Sequence, residues 1–151
     1  MKTQNQNSVK PETQSCQMAV SGSVTVRDLR IGNFMHFPFT AENVQILGIN
    51  AHNYASKITH TISFEKDENL YCEKLQLLRP IKLNDEWLLK LGFVKDGIWF
   101  NFSFGFYSIG ISNDHSGFNF SYDDGFIHLK YVHELQNLIF SLSGSDLQLV
   151  V

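Results

Sequence analysis

Long hydrophobic runs are missing from this chain: no apolar stretch approaches the roughly 20 residues that span a bilayer. Its opening residues, Met1-Lys2-Thr3-Gln4-Asn5-Gln6-Asn7, contain no apolar core of a secretory signal. Both absences predict a cytoplasmic protein. Cysteine is scarce too, with only Cys16 and Cys72 and no Cys-x-x-Cys, which argues against a disulfide framework or a zinc ribbon. Charge is thin, at 18% of 151 residues, below the usual quarter. Phe stands in its place, supplying 13 of the aromatic side chains. A chain of this size and composition reads as one globular domain with a well-filled core.

Cations are nearly absent from one half. Residues 84–151 carry Lys90, Lys95 and Lys130 against Asp85, Glu86, Asp96, Asp114, Asp123, Asp124, Glu134 and Asp146, a net charge of −5. Duplex DNA is bound through a basic footprint, so direct DNA binding is not expected from this half. A protein partner with a basic surface suits it better, although ordinary solubility accounts for eight acids as well.

Catalytic signatures are also lacking. There is no phosphate loop, dinucleotide fingerprint or nucleophile elbow. His128 and His133-Glu134 miss the spacing of a zinc peptidase helix. Asn113-Asp114-His115 reads as a turn, and Asp123-Asp124 as a hairpin tip rather than a cation site. No cofactor and no metal are expected. An enzymatic alternative would draw on His115, Asp123, Asp124 and His128.

What is present is strand periodicity. Residues 1–23, rich in Gln, Asn, Ser and Thr, read as a flexible leader. From Val24 short strands follow: one through Val26 and Leu29 to the Arg30–Asn33 turn, then Phe34–Phe37, Asn43–Ile49 and Lys57–Phe64, with His60 in an otherwise apolar row. Asn50 to Ser56 reads as a loop. Asn84 to Gly92 carries helix punctuation, with an N-capping Asn, acids in the first turn, Lys90 in the last and a terminal Gly.

Beyond it, Phe100, Phe102, Phe104 and Phe106 alternate with smaller residues over one half-buried strand. Phe118, Phe120 and Tyr122 repeat the pattern. Asp124-Gly125 supplies a hairpin turn, and Tyr107 to Ser112 a further strand. A longer helix covers Tyr131 to Ser143, with Val132, Leu135, Leu138, Ile139 and Leu142 inward and His133, Glu134, Gln136, Asn137 and Ser141 on its polar face. Leu147 to Val151 reads as a docking strand.

If the phenylalanines face inward, Trp99, Asn101, Ser103, Asn119 and Ser121 project outward as an uncharged platform beside the acidic turns at Asp114, Asp123 and Asp124. Trp99 and Tyr107 are its candidate aromatic anchors. RNA-binding sheets pair exposed aromatics with Lys and Arg, which are scarce here.

Val26 to Asn33, then Val44 to Ile49, Pro80 to Phe93 and Lys130 to Leu138 resemble, in that order, small uncharacterised proteins carried by prophages and mobile elements of Bacteroidota. The opening strand–turn–strand is also similar to the start of small SH3-like barrels. The expectation is therefore an α+β domain over 24–151, built of antiparallel sheets, with an SH3-like N-terminal half, an aromatic-rich meander in the C-terminal half, and one short and one longer helix. The functional expectation is a non-enzymatic interaction module of a phage or mobile element. Its partner would be a nuclease or ribonucleoprotein of host defence, inhibited through the acidic half as anti-CRISPR proteins inhibit theirs.

Overall fold

The computed structural model describes residues 24–123 and 125–150. The leader, Cys16, Asp124 and Val151 lie outside the described residues. Two antiparallel sheets and two helices make up the fold. The first sheet is a meander of β1 (Phe34–Phe37), β2 (Glu42–Tyr54), β3 (Lys57–Lys66) and β4 (Asn69–Lys74). The second is a meander of β5 (Val94–Asp96), β6 (Trp99–Phe104), β7 (Tyr107–Asp114), β8 (Gly117–Tyr122) and β9 (Gly125–Leu129). Between them lies α1 (Asp85–Lys90), and the chain closes with α2 (Val132–Ser143).

Local chemistry sets several element ends. The side chain of Asn84 accepts from the Trp87 amide at 2.9 Å, and Gly92 at φ +87° stops α1 as its position predicts. No strand forms at Val26. There the Asp28 carboxylate accepts from both the amide and the hydroxyl of Thr25, at 2.9 and 2.7 Å, and closes a 3-10 turn. Asn50 to Ser56 is no loop either: β2 and β3 run on as a projecting hairpin that turns at Ala55 and Ser56, both with positive φ. His60 is half-buried in that arm, in one row with Ile58 and Ile62. After β4 a 3-10 turn at Leu75–Leu77 leads back to β1, where His36 and Arg79 exchange two backbone bonds of 2.9 Å.

Three expectations about the second sheet and its helix are corrected. The aromatic strand stops at Phe104, because Gly105 at φ +56° begins a two-residue turn that leaves Phe106 fully exposed. The next turn falls one residue earlier than Asp124-Gly125: Tyr122 pairs with Gly125, and Asp123 takes the positive φ. Leu147 is buried, yet 147–150 forms no strand and is tied down by a bond from the Val150 amide to the Lys90 carbonyl.

Two apolar cores result. Met35, Phe37, Val44, Ile46, Ile62, Phe64, Leu75 and Leu78 fill the first sheet. Trp87, Leu88, Leu91, Phe100, Ile111, Phe120, Leu135 and Ile139 fill the second. β1 serves both, since Phe34 points to Trp87, at 5.7 Å between ring centroids, while Met35 and Phe37 belong to the first core.

The face of α2 expected to meet water does so only in part: Ser141 is exposed and Glu134 and Asn137 are half-buried. His133 and Gln136 are buried, because the Arg30–Asn33 turn docks on that face. The Gln136 carboxamide accepts from the Phe34 amide and donates to the Gly32 carbonyl, Asn33 donates to Asn137, and Asn137 donates to the Asp28 carbonyl. Arg30 completes the seam by pairing with Asp146 and lying over the Phe140 ring. Leu142, expected inward, is exposed at the end of the helix.

Burial holds the His133 imidazole below its ordinary pKa, against the pull of the Glu134 and Asp28 carboxylates. The folded chain therefore binds this proton less readily than the unfolded chain, whose histidine titrates near 6.5. Stability from this site is complete above that pH and declines as pH falls through it. Melting temperatures recorded between pH 7.5 and 5.5, which are experimental settings of roughly one unit either side of a free histidine, should fall for the native chain. They should fall less for His133→Phe, and an identical decline in both would refute the assignment.

Candidate partner-binding face

Register alone assigns the two faces of the second sheet. Asp96, Trp99, Ser112, Asn119 and His128 are successive cross-strand partners and form one row across all five strands. Val94, Asn101 and Gly110 form the next, followed by the pairs Ser103 with Ser108 and Ser121 with Phe126. This is the outer face. The indole of Trp99 lies across Gly110, where a Cβ would approach the ring to 3.3 Å. Opposite lie Phe100 with Ile111, Phe102 with Ile109, and Phe104 with Tyr107, the inner face that packs on α1 and α2.

The nine candidate residues are thereby separated. Trp99, Asn101, Ser103, Asn119 and Ser121 share the outer face, as the period-two pattern required. Tyr107 does not join them. It pairs with Phe104, their ring centroids 6.0 Å apart, and stands on the inner side. Asp114 and Asp123 sit at opposite ends of the sheet, the former with Gly117 and the latter beside Tyr122. Asp124 lies outside the described residues. Nor do the acids of this half form one surface: Asp85 pairs with Lys95, Glu86 with Lys90 and Asp146 with Arg30.

At the Asp114 end the polar groups are locked together. The carboxylate of Asp114 accepts from the Ser116 hydroxyl at 2.6 Å and the Ser116 amide at 2.8 Å, which holds its pKa below the usual value. Asn113 points elsewhere, donating to Asp85, and the turn read at Asn113-Asp114-His115 falls at His115 and Ser116, between the paired Asp114 and Gly117. The Asn119 amide donates to Ser116 and to the Gly117 carbonyl, and its oxygen meets His128 Nδ1 at 3.0 Å. His128 lies flat on Gly117, where a Cβ would come within 2.9 Å of the ring. A cleft of about 350 Å³ adjoins it, lined by Lys82, Ser116, Phe118, Lys130 and Tyr131 among others. Among the described residues no group of three or more His, Cys, Asp or Glu is placed to hold a metal, and no helix is long and apolar enough to cross a membrane.

The other end carries what the sequence pattern missed. Phe106, Tyr107, Tyr122 and Phe126 are all exposed there, Tyr107 at 71% and Phe126 at 73%. They stand at two hairpin tips, β6–β7 and β8–β9, with Phe126 on the outer face, Tyr107 and Tyr122 on the inner side and Phe106 in the turn itself. Behind them a second cleft of about 360 Å³ opens between Phe104, Tyr107, Ile109, Phe120 and Leu142. Parity was the obstacle: alternation carried Phe106 inward and Tyr107 outward, and a two-residue turn reverses both.

Comparisons with protein-family models, with curated proteins and with solved structures return no match for this chain.

Proposed function

We propose that this chain is a non-catalytic protein-interaction module of a phage or mobile element, and that it inhibits a host defence nuclease by occupying its basic nucleic-acid groove. The observation that carries the reading is the crown of four exposed aromatic side chains, Phe106, Tyr107, Tyr122 and Phe126, spread over both faces of the two hairpin tips, with Asp123 beside Tyr122. Apolar rings in such density are uncommon on a free surface and mark docking sites. The charge fits the same partner, since residues 97–129 contain no Lys or Arg and Asp123 stands beside Tyr122 at the aromatic end. Rings beside carboxylates offer a basic groove what bases beside phosphates would offer it. The return of the chain from the 3-10 turn to β1 supports an SH3-like reading of the first sheet.

The enzymatic alternative has one observation in its favour. His128, with Nδ1 at 3.0 Å from the Asn119 oxygen, borders the Tyr131 cleft, although among the described residues no nucleophile is hydrogen-bonded to it.

One experiment separates the two. Affinity capture from phage-infected cells that express defence nucleases should recover a basic, nucleic-acid-binding partner at low salt and release it at high salt. A Phe106→Ser/Tyr107→Ser/Phe126→Ser variant should recover about tenfold less. Undiminished capture by that variant, or loss of the chain's biological effect on His128→Ala alone, would overturn the interaction reading.

A further inference from the structure

Residues 82–151 contain four lysines and no arginine. Two of them are neutralised where they stand, Lys90 by Glu86 and Lys95 by Asp85, each at 2.6 Å. The other two, Lys82 and Lys130, have no carboxylate within ion-pair distance among the described residues, and the fold brings them together. Lys82 faces Tyr131 across an isolated antiparallel bridge, which the Leu83 amide closes on the Lys130 carbonyl and the Val132 amide on the Ile81 carbonyl, both at 2.9 Å. Both lysines line the cleft of about 350 Å³ that adjoins His128. Asp114 and Glu134, which flank this region in the chain, do not line it. One oxygen of Glu134 accepts from the Lys130 and Tyr131 amides at 2.7 and 3.0 Å, and Asp114 is held by Ser116. Leu83, Phe118, Leu129 and the ring of Tyr131 give the remaining walls an apolar character.

We infer that this cleft binds a small amphipathic anion, a phosphate or carboxylate group carried on an apolar ring or chain. The two lysines set the sign of the ligand. An ammonium group is a compact point charge with rotatable donors, so it selects an anion without demanding the planar geometry that would separate carboxylate from phosphate. The apolar walls set the rest, because a ligand with a hydrophobic body gains from covering them and a bare ion does not. The volume falls at the lower end of small-molecule sites, which run from about 300 to 1,000 Å³. Elsewhere residues 84–151 are net acidic and repel an anion, which localises it to the lysines. The cleft lies at the Gly117 and Leu129 end of the sheet, and the aromatic crown at the Tyr122 and Gly125 end, so the inference stands apart from the interaction reading.

The test titrates phenyl phosphate, benzoate, inorganic phosphate and benzylamine separately into the full chain, followed by amide NMR. Saturable shifts centred on Lys82, Gly117, Leu129 and Lys130 with phenyl phosphate, benzoate or both are the expected result, and the one that saturates at lower concentration identifies the head group. Inorganic phosphate should bind about tenfold more weakly than phenyl phosphate, since it leaves the apolar walls in water. Benzylamine, with a similar ring and the opposite charge, should give no saturable shift. Lys82→Gln and Lys130→Gln, both at exposed positions, should each weaken anion binding about fivefold, the upper end for a solvent-exposed ion pair, with an unchanged melting temperature. Shifts that grow linearly with every probe, or that centre away from the cleft, would overturn the inference. So would benzylamine bound as tightly as benzoate, inorganic phosphate bound as tightly as phenyl phosphate, or native affinity in the Lys82→Gln/Lys130→Gln double variant.

Discussion

Replacing Gln136 with leucine is expected to destabilise the protein by about 2–3 kcal/mol, although the two side chains have similar volume. Leucine opens little cavity, so the loss isolates the polar contribution. The Phe34 amide donates to the Gln136 carboxamide at 2.8 Å, and among the described residues no other acceptor is paired with it. In the leucine variant that N–H stays buried and unpaired. The Gly32 carbonyl suffers less, because the Gln45 side chain continues to donate to it at 3.1 Å. Against a total stability of about 5–15 kcal/mol for a domain, the change is large. Urea denaturation followed by far-UV dichroism and by Trp fluorescence should show a lower midpoint. Since Gln136 ties the Arg30–Asn33 turn to α2, the loss should appear with both probes. A midpoint within error of the native chain would mean that the carboxamide does not bridge the two cores.

That same residue marks a boundary of what sequence periodicity reveals. The helical repeat of α2 separates Val132, Leu135 and Ile139 from His133, Gln136 and Asn137, and it does so correctly. It cannot say that the second group meets another sheet instead of water, because the surface covering it comes from residues about a hundred positions earlier. Local signals fared better. Asn84 and Gly92 state where α1 begins and ends, and the alternation of Phe118, Phe120 and Ile111-type positions states which face of a strand is buried. The β2–β3 arm escaped detection for a local reason: its turn places Ala55 and Ser56 at positive φ, where glycine or asparagine would have announced it.

The candidate site divides along the same line. Trp99, Asn101, Ser103, Asn119 and Ser121 share a face because period two needs no knowledge of neighbours. The buried, fully bonded state of Asn119 follows from the turn at Asp114 and from His128 on the adjacent strand, and neither is encoded in the alternation. The end of the β7–β8 ladder is less visible still: strand propensity runs unbroken through Tyr107 to Ser112 and through Gly117 to Tyr122, whereas the pairing extends only to Ile111 and Phe120.

The row of phenylalanines is where these considerations meet in a single measurement. Phe100, Phe102, Phe104 and Phe106 are equivalent in the sequence, spaced by two and separated by small residues. In the fold, Phe100 is fully buried, meets Phe118 edge-on at 6.2 Å and lies under the Lys95 ammonium at 5.3 Å. Phe106 has left the strand. Phe100→Ala should therefore cost about 3–5 kcal/mol, the toll of emptying a core site that cannot fully collapse. Phe106→Ala should change stability by no more than about 0.5 kcal/mol. Binding should rank them in reverse. The partner should be retained less by Phe106→Ala, while the surviving folded fraction of Phe100→Ala keeps its affinity, because its ring is not part of the crown. Equal destabilisation by the two substitutions would return Phe106 to the inner face and close the turn at Gly105, and with it the exposed crown on which the functional reading depends.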